Sequence, residues 1–559
     1  MMLTSEEDKW SGDFDAQVGI DLGTTNSCVS IWVEDLARAK TIKCQKTGLK
    51  TVPSVVWVDA SNTITAVGQD ALAAQEEAKK KNKEEEEGSQ NSEGVLIRGA
   101  KRFLGRRFQD IDAQGDGLAS LAFSVRERKS DGGIVLGAAK GEGGVEPEQV
   151  AGAILDHLCE VAQAYVAKRK AKITHAVITV PAFFTDRQRV ATRRVAESRG
   201  LRVLRLLSEP MAAAMAYGLF VAGSKIVMVV DMGGGTFDVS LLRITNGKFE
   251  AIALRGDNHL GGDDVDALLM QHVSARRGVA LKDMSNSEKS RLRSECEQAK
   301  CVLSSEEHAW VTDDIDITRE SFEALTLPLQ AKIESVLAGA LEDAREADVK
   351  IDEVVMVGLS TQMPWVRRVV LKTTGVTELC VNVKADRAVS QGAAIQAAIL
   401  SGTDSYKLAK VLMIDALPFT IGVETGSGDL LSVLARNTKF PCKVTRTFTT
   451  HSDYQRGITI DLFEGEALTA RENHWVGCRN FPVHGGSKLR AGEASIDVTF
   501  EISDDGTLLV GADTQGSTDV KDEPAQGPDM TLLSALLALL VAIFVAAKIY
   551  FPPPVSNGF

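Results

Sequence analysis

The most informative chemical feature of the sequence is a short acidic turn that occurs twice. Each copy joins an aspartate to glycines and small hydroxyl residues, which let the backbone bend so that its N–H groups converge on an anion. The first copy contains Asp21, Gly23, Thr24 and Thr25, and the second contains Asp231, Gly233, Gly234, Gly235 and Thr236. Two such turns facing each other predict a site that holds one polyphosphate from both sides.

The two aspartates predict a cation at the same site. Asp21 and Asp231 each end an apolar, β-branched run that reads as a buried strand. If the halves of the fold are duplicates, both carboxylates flank the phosphates and hold Mg²⁺ through its bound waters. The alternative, two glycine-containing hairpins without a ligand, stays open for either copy taken alone.

The strands around the turns predict a duplicated α/β domain. An alternating strand follows each turn, at residues 27–33 and 237–242. We therefore expect a nucleotide-binding domain over residues 17–405, with lobes at 17–223 and 224–401. The turns alone fit actin-like ATPases, sugar kinases and chaperones.

Other segments of these lobes predict ordinary elements and one irregular insertion. Residues 148–166 and 287–303 are spaced as helices, and 173–180 read as a buried strand that stops at Pro181. Residues 75–93 form a charge run without an apolar stripe. That pattern predicts a disordered surface insertion.

Composition indicates a globular protein of several domains. The 559 residues are 44% hydrophobic and carry a net charge of −13, which argues against a nucleic-acid partner. The eight cysteines are scattered without a C-x-x-C pair. This pattern argues against a zinc site and a disulfide framework, and it predicts domains that face a reducing compartment.

The last part of the chain changes character twice. Residues 416–513 contain short alternating strands and polar turns, which predict a separate β-sandwich domain. Residues 514–530 form an acidic spacer, and 531–551 are long and apolar enough to cross a bilayer as one helix if Lys548 reaches the interface. The competing interpretation of residues 531–551 is a core helix of the last domain.

Several longer motifs narrow the family. They are residues 176–184 (AVITVPAFF), 208–218 (SEPMAAAMAYG), 258–264 (NHLGGDD), 447–450 (TFTT) and 463–466 (FEGE). In this order they closely resemble the 70-kilodalton heat-shock protein family, over about residues 17–513. The resemblance implies an actin-like ATPase domain followed by a peptide-binding β sandwich.

The resemblance implies roles for individual residues. The expected catalytic residues are Lys101, Glu209, Asp231, Thr236 and Asp21, and the two aspartates also hold Mg²⁺ through water. The expected nucleotide-binding residues are Gly23, Thr24, Thr25, Gly233, Gly234, Gly235, Glu297, Lys300, Ser304, Gly358, Ser360 and Asp386. Lys101 taken alone could equally be a solvated lysine in a basic patch.

The resemblance also implies communication between domains. Residues 406–415 match an interdomain linker, and the expected relay residues are Pro181, Arg189, Leu412 and Asp415. Leu431, His451 and Ile458 are expected to line the peptide groove, although His451 is bulkier than usual there. Ile458 taken singly fits simple core.

The implied function is that of an ATP-dependent molecular chaperone. Its expected ligands are ATP or ADP, Mg²⁺ and unfolded, apolar polypeptides, and its expected partners are a J-domain cochaperone and a nucleotide exchange factor. The C-terminal helix predicts a tail-anchored membrane protein whose main domains face the cytosol. Because no helical lid follows residue 513, we also expect fast peptide release.

The adenine side of the expected site departs from the family pattern. Two arginines usually stack on the base, but this sequence has Cys301 and Gln362 there, and Leu359 replaces a glycine. Loss of two cation–π contacts predicts ATP binding that is looser by tens of times. The departures favour one alternative function, a nucleotide-sensing holdase or scaffold with little turnover. A sugar or glycerol kinase is a third hypothesis, which the linker and β domain disfavour.

Overall fold

The structure is a computed structural model, and it describes most of the chain. The described residues are 15–84, 94–111, 117–137, 143–167, 171–218, 223–381, 384–402, 411–483 and 489–512. The predicted membrane helix and acidic spacer lie outside them. Among the helices that are described, none is long and apolar enough to cross a membrane.

The first lobe comprises the described residues from 15 to 218. Its strands are β1 (Asp15–Asp21), β2 (Asn26–Val33), β3 (Arg38–Thr41), β4 (Val52–Pro53), β5 (Val55–Val58), β6 (Ile64–Val67), β7 (Val95–Arg98), β8 (Ser124–Arg128), β9 (Gly133–Gly137), β10 (Lys172–Val180) and β11 (Arg202–Ser208). Its helices are α1 (Gln69–Glu84), α2 (Pro147–Val166), α3 (Asp186–Ser198) and α4 (Glu209–Gly218).

The second lobe comprises the described residues from 223 to 381, and one more helix follows it. The strands are β12 (Ser224–Met232), β13 (Phe237–Thr245), β14 (Lys248–Asp257), β15 (His308–Thr312), β16 (Ile315–Thr318) and β17 (Glu353–Val357). The helices are α5 (Gly262–Arg277), α6 (Asn286–Leu303), α7 (Arg319–Leu325), α8 (Leu327–Glu346), α9 (Pro364–Thr374) and the following α10 (Ala388–Leu400).

The β domain comprises the described residues from 417 to 512, and strand β18 (Leu412–Ala416) leads into it. Its strands are β19 (Ile421–Glu424), β20 (Leu430–Leu434), β21 (Lys439–Phe440), β22 (Cys442–Thr449), β23 (Gly457–Glu464), β24 (His474–Pro482), β25 (Ser495–Ile502) and β26 (Leu508–Ala512). Two sheets, in the orders β20-β19-β23-β24 and β22-β25-β26, share one apolar core. Alternation of apolar and polar residues, as in β25, forms this core because every second side chain faces it.

The sheets of the two lobes repeat one pattern of strands. In the first sheet β1 pairs with β10 in parallel and with β2 in antiparallel, and β2 continues to β3. In the second sheet β12 likewise pairs with β17 in parallel and with β13 in antiparallel, and β13 continues to β14. The turns identified in the sequence thus follow equivalent strands, β1 and β12. This agrees with the predicted α/β duplication.

Helices α4 and α10 pack against each other between the two sheets. Helix α10 lies along β1 and β2, whereas α4 also contacts β12 and β13. The sequence assigns residues 388–400 to the second lobe, yet they pack on the first sheet. Close packing against α4 helps to hold α10 in this position. A Cβ on Gly392 of α10 would lie 1.8 Å from the carbonyl oxygen of Ala212 in α4, so the close approach of the two helices requires glycine there.

The expectation of a disordered insertion at 75–93 is wrong for its first part. Helix α1 continues to Glu84, and residues 85–93 lie outside the described part of the chain. Alanine, glutamine, glutamate and lysine are strong helix formers. In addition Ala71 is buried against β5 and β7, which anchors the start of the helix.

Candidate functional site

The two acidic turns face each other across the boundary between the lobes. A Cβ on Gly234 would lie 1.8 Å from Oγ1 of Thr25, and one on Gly235 would lie 3.1 Å from Oγ1 of Thr24. Oγ1 of Thr25 is buried and has no hydrogen-bond partner among the described residues. A buried hydroxyl beside bare glycine backbone fits a phosphate oxygen as its partner.

The second turn is fixed by the start of helix α5. The N–H groups of Gly262 and Asp263 donate to the carbonyl oxygens of Gly233 and Gly234, at 3.0 and 2.8 Å. Inside the turn, the N–H of Gly233 donates to the carbonyl oxygen of Thr236 at 3.1 Å. This arrangement explains the glycine pair in the motif at 258–264, because the helix start meets the turn backbone to backbone.

The backbone approaches as closely where β17 ends. Gly358 has a φ of 81°, and a Cβ there would lie 2.2 Å from the carbonyl oxygen of Met232. Ser360 then donates its hydroxyl to the carbonyl oxygen of Gly233 at 2.8 Å. Both residues predicted here therefore border the second turn. In the first turn the N–H of Gly23 donates to Oγ of Ser27 at 3.1 Å.

Lys101 is buried in a cluster of carboxylates. Its Nζ lies 2.6 Å from Oε1 of Glu209, and both side chains are almost entirely covered. The ammonium also lies 5.4 Å from the centre of the Phe184 ring. Thus Lys101 is not the solvated lysine that the sequence left open; it is directed into the site between the turns.

Burial raises the pKa of three aspartates around Lys101. The pKa of Asp21 rises to about 7, and so does that of Asp238, in each case because burial and then the charge of Glu209 disfavour ionisation. The same two causes raise the pKa of Asp231 well above its usual value. The Lys101 ammonium opposes all three shifts. The cluster therefore holds excess negative potential that a further cation would relieve.

The donor set fits a hydrated magnesium ion. Within the described residues, no group of three or more histidine, cysteine, aspartate or glutamate side chains is arranged to hold a metal ion directly. Mg²⁺ usually keeps several of its waters and takes one or two carboxylates plus substrate phosphates. Asp21, Asp231 and Asp238 provide such carboxylates beside the phosphate turns.

Polar contacts close the cleft above the turns. From the first lobe, Arg102 pairs with Asp264 at 2.6 Å and Arg98 pairs with Glu297 at 3.7 Å. Gln75 of helix α1 also donates to Ser290 of helix α6. These contacts join the two lobes. Glu297 therefore already has a protein partner.

The expected adenosine side is formed by helix α6 and the turn after β17. Lys300 is partly buried, donates to the carbonyl oxygen of Gly262 at 3.1 Å and pairs with Asp266 at 2.8 Å. Ser304 follows one turn later, and its hydroxyl donates back to the carbonyl oxygen of Lys300. The three departures, Cys301, Leu359 and Gln362, are all exposed.

Asp386 lies two residues before α10, next to β2. Its carboxylate pairs with Arg387 at 2.7 Å, and its carbonyl oxygen accepts from Sγ of Cys28 at 3.7 Å. Asp386 is therefore connected to the first sheet. Its predicted contact with nucleotide stays a prediction.

Arg189 connects the first lobe to the β domain. It is 4% exposed, and its guanidinium donates to the carbonyl oxygens of Ala182, Phe184 and Asp505. Ala182 and Phe184 follow the buried Pro181 at the end of β10, and Asp505 belongs to the β domain. One side chain thus touches the loop beside Lys101 and the neighbouring domain.

Residues 406–410 of the predicted linker lie outside the described residues, and residues 412–415 belong to strand β18 beside the second sheet. Residues 412–414 pair in parallel with residues 248–250 of β14. Asp415 accepts a hydrogen bond from the hydroxyl of Ser208 at 2.7 Å, directly before Glu209. Leu412 remains half exposed. The strand therefore connects both lobes through backbone and side chain.

A buried carboxylate holds the β domain to the second lobe. Asp343 accepts two hydrogen bonds from Arg255 of its own lobe, at 2.7 and 2.8 Å. It accepts a third from Arg436 of the β domain at 3.0 Å. Lys439 adds a hydrogen bond to the carbonyl oxygen of Ile252 at 2.9 Å.

Trp475 holds the β domain to the first lobe. Two guanidinium groups lie near its ring, that of Arg107 at 4.2 Å and that of Arg187 at 5.5 Å from the ring centre. Its Nε1 donates to Asp461 at 3.3 Å. Cation–π contacts of this kind contribute about 0.5–1 kcal/mol each at exposed sites.

Two carboxyl groups meet in the same interface. Glu464 accepts from the N–H of Asp186 at 3.0 Å, at the start of helix α3. Burial, followed by the charge of Asp186, raises the pKa of Glu464 to about 8, and burial raises the pKa of Asp186 to about 6. Arg189 opposes both shifts and, with both carboxyls, lines a cavity of about 20 Å³.

Docking of the β domain should therefore depend on pH. A carboxyl group whose pKa is raised by docking favours the docked state below its undocked pKa, and this contribution is lost as pH rises through the docked value. For Glu464, docking should weaken as pH rises from the ordinary glutamate pKa of 4.5 to its raised pKa of about 8. We expect the docking constant to fall by up to about tenfold per pH unit between pH 6 and 8.

Fluorescence transfer between labels on the second lobe and the β domain, followed from pH 6 to 8, measures this dependence. The Glu464→Gln variant should stay docked with a much shallower pH profile. A profile unchanged by that variant would assign the pH dependence to other groups.

The three predicted peptide-groove residues differ in exposure. Ile458 is 6% exposed and belongs to the core of the β domain, whereas Leu431 is half exposed on β20 and His451 is exposed. The backbone N–H of His451 donates to the side chain of Gln455 at 3.0 Å. Their role in binding peptide stays a prediction.

Several residues of the site were not identified from the sequence. Asp238 could have been found, because it follows the second turn by two positions on the predicted strand. Asp343 and Trp475 gave no local signal, since an aspartate on a helix and a tryptophan on a strand are ordinary. Each matters because it contacts a residue of another domain: Asp343 contacts Arg436 of the β domain, and Trp475 contacts Arg107 of the first lobe.

Comparison with known proteins agrees with this architecture. The profile of the Hsp70 protein family matches residues 17–534. The "Heat shock cognate HSP70 protein" of Trypanosoma brucei brucei is 37% identical over 519 residues, which cover 89% of this chain and 73% of that protein. The "Heat shock cognate 70 kDa protein 3" of Dictyostelium discoideum is 37% identical over 522 residues, 90% of this chain and 79% of that protein.

A third relative comes from a plant. The "Heat shock 70 kDa protein BIP3" of Oryza sativa subsp. japonica is 37% identical over 519 residues, and these cover 89% of this chain and 73% of that protein.

Proposed function

The chain belongs to the Hsp70 protein family, whose members are ATP-hydrolysing chaperones, and we propose that it couples ATP hydrolysis in its cleft to peptide binding by its β domain. Two observations together support this proposal most directly. The two acidic turns are in contact with each other, and Lys101 and Glu209 form an almost fully covered ion pair. A cleft of this kind supplies charge stabilisation and positioning, which phosphoryl transfer mainly requires.

The roles of the catalytic residues follow from their surroundings. We propose that the Lys101 ammonium stabilises negative charge that develops on the transferred phosphoryl group. Glu209, fixed by its contact with Lys101, orients the attacking water. Asp21 and Asp231 would hold Mg²⁺, and this ion would neutralise charge on the phosphates. Thr236 and the turn N–H groups position the oxygens.

Coupling to the β domain runs through a short chain of contacts. Arg189 touches the loop that carries Phe184, and the ring of Phe184 packs over Lys101. Asp415 contacts Ser208, the residue before Glu209. We propose that nucleotide-dependent movement of Lys101 and Glu209 alters both contacts and thereby releases or docks β18. Pro181 limits how the loop can move.

This function is tested by single-turnover ATP hydrolysis with and without an unfolded apolar peptide and a J-domain. We expect the peptide and the J-domain each to accelerate hydrolysis, and a nucleotide exchange factor to accelerate ADP release. A basal rate that responds to none of them would contradict the proposed coupling.

ATP binding is proposed to be loose because the base has lost its stacking partners. Replacing both departures with arginine, Cys301→Arg with Gln362→Arg, should tighten ATP binding roughly tenfold or more, because each restored guanidinium contributes about 1 kcal/mol. Both positions are exposed, so the fold should tolerate the change.

Equilibrium titration with ATP measures that effect, and Arg291→Gln supplies a control on the exposed part of the same helix. An unchanged dissociation constant in the double variant would contradict the stacking explanation.

We further propose that residues 531–551 tether the protein to a membrane. Support comes from the composition, which is uncharged from 531 to 547 over a length that suits a bilayer. The protein should remain in the pellet after carbonate extraction, with its N-terminal domains open to added protease. Release into the carbonate supernatant would contradict the tether.

A further inference from the structure

A cavity of about 720 Å³ opens on the first lobe, and none of the predicted nucleotide-binding residues lines it. Its walls come from strands β2 and β3, the loop after β3, the ends of helices α2 and α4, and helix α10 with the residues just before it. Cavities of about 300–1,000 Å³ suit small organic ligands.

The cavity is strongly basic. Six cationic side chains line it, and no carboxylate is among the described residues that do so: Arg38, Lys40, Lys43, Lys50, Lys384 and Arg387. The whole chain, in contrast, has a net charge of −13. A concentration of one sign of charge in a concave site raises the local concentration of counter-ions.

Three of these lysines make no direct ion pair among the described residues. Lys43, Lys50 and Lys384 make no ion pair with any residue in the described part of the chain, whereas Arg387 pairs with Asp386. Burial lowers the pKa of Lys50, repulsion from Arg387, Lys384 and Lys43 lowers it further, and attraction to Asp386 only partly opposes the shift. The cations therefore converge on one another, and a bound anion would relieve their repulsion.

Apolar and aromatic groups form the rest of the wall. Trp32, Tyr165, Tyr217 and Ile395 contribute to it. The indole Nε1 of Trp32 is buried and has no hydrogen-bond partner among the described residues. The wall thus suits an organic body, while the lysines suit its anionic groups.

We propose that this cavity binds a small organic molecule that carries several phosphate groups. Phosphates provide the dense negative charge and the acceptor oxygens that clustered lysines and an arginine recognise. The volume excludes a folded partner but admits a polyphosphorylated ring. The same chemistry occurs on free metabolites and on lipid headgroups, and the experiment separates these sources.

The test is calorimetric titration of the full-length protein in detergent micelles with inositol hexakisphosphate. The titration is run at about 0.15 M salt, where interactions between exposed charges are largely screened. Saturating ADP and Mg²⁺ are present to occupy the nucleotide site. We expect saturable binding of one molecule per chain, with an affinity that ADP does not reduce.

Charge variants link the binding to the cavity. Lys43→Glu with Lys384→Glu should weaken affinity roughly 10- to 100-fold. Lys46→Glu makes one such charge reversal on the loop that carries Lys43, but Lys46 pairs with Asp70 and does not line the cavity, so its effect should stay below about threefold. If charge reversal prevents folding, Lys43→Gln with Lys384→Gln gives the milder test.

Two further binding experiments identify the source of the ligand. Binding to vesicles containing phosphatidylinositol bisphosphate, compared with phosphatidylcholine vesicles, supports a lipid headgroup, whereas binding of the soluble probe alone supports a free metabolite. A peptide of residues 513–530 tests an acidic segment as occupant. The proposal is overturned if no phosphate probe binds saturably, if ADP displaces the probe, if only the peptide binds, or if Lys46→Glu weakens binding as much as the cavity variant.

Discussion

Replacing Lys101 with alanine should lower single-turnover ATP hydrolysis by about 10²- to 10³-fold, the range seen when one preorganised stabiliser of developing charge is removed. Lys101 is the cation in direct contact with Glu209. Without it, Glu209, Asp21 and Asp231 would face the phosphates with no fixed positive charge between them. ADP binding should weaken by less than about tenfold, because the backbone N–H groups of both turns remain.

Lys372→Ala is the matched control for this variant. Lys372 is exposed on helix α9 and pairs with Glu334 at the surface, so its loss should change the rate by less than about twofold. A Lys101→Ala protein that folds, binds nucleotide and hydrolyses it at the wild-type rate would remove Lys101 from the chemistry.

Replacing Asp343 with alanine should uncouple the β domain from the ATPase lobes. Asp343 is buried and accepts hydrogen bonds from Arg255 and Arg436, so its removal leaves two guanidinium groups without their counter-charge. Removing one partner of a fully buried ion pair costs roughly 3–5 kcal/mol. Because Arg255 and Arg436 keep some contact with water, we expect about 1–3 kcal/mol, a shift of the docking equilibrium of roughly 10- to 100-fold.

Fluorescence transfer between the second lobe and the β domain measures docking, and peptide stimulation of hydrolysis measures its consequence. Both should fall in Asp343→Ala, while Glu334→Ala, on the exposed face of the same helix, should leave both unchanged. Docking that survives the loss of Asp343 would mean that β18 and Arg189 suffice to hold the β domain.

The part of this molecule that could be predicted from sequence is the part specified locally. Asp21 and Asp231 each follow a run of buried β-branched residues. The glycines after each aspartate indicate a sharp turn whose N–H groups can bind an anion. The helices at 148–166 and 287–303 and the strand at 173–180 were also evident, because their apolar spacing is regular. The structure confirms each of these elements to within one residue.

The part that could not be predicted depends on which surfaces meet. Helix α10 has the sequence of a buried helix, but nothing local indicates that it returns to the first sheet. The charge run after residue 75 resembles disorder in composition, although strong helix formers continue α1 to Glu84. The contacts of Asp343 and Trp475, and the walls of the basic cavity, come from segments far apart in the chain. They can therefore be recognised only in the folded structure.

The central claim is that one magnesium-bound nucleotide lies between the two acidic turns. A crystal structure of the protein with Mg²⁺ and a non-hydrolysable ATP analogue tests this most directly. We expect the triphosphate to lie against both turns, beside Thr25 and Gly234, with the hydrated ion beside Asp21 and Asp231 and the terminal phosphate near Lys101. Nucleotide bound at a site remote from these turns, with the pair of Lys101 and Glu209 unchanged, would contradict it.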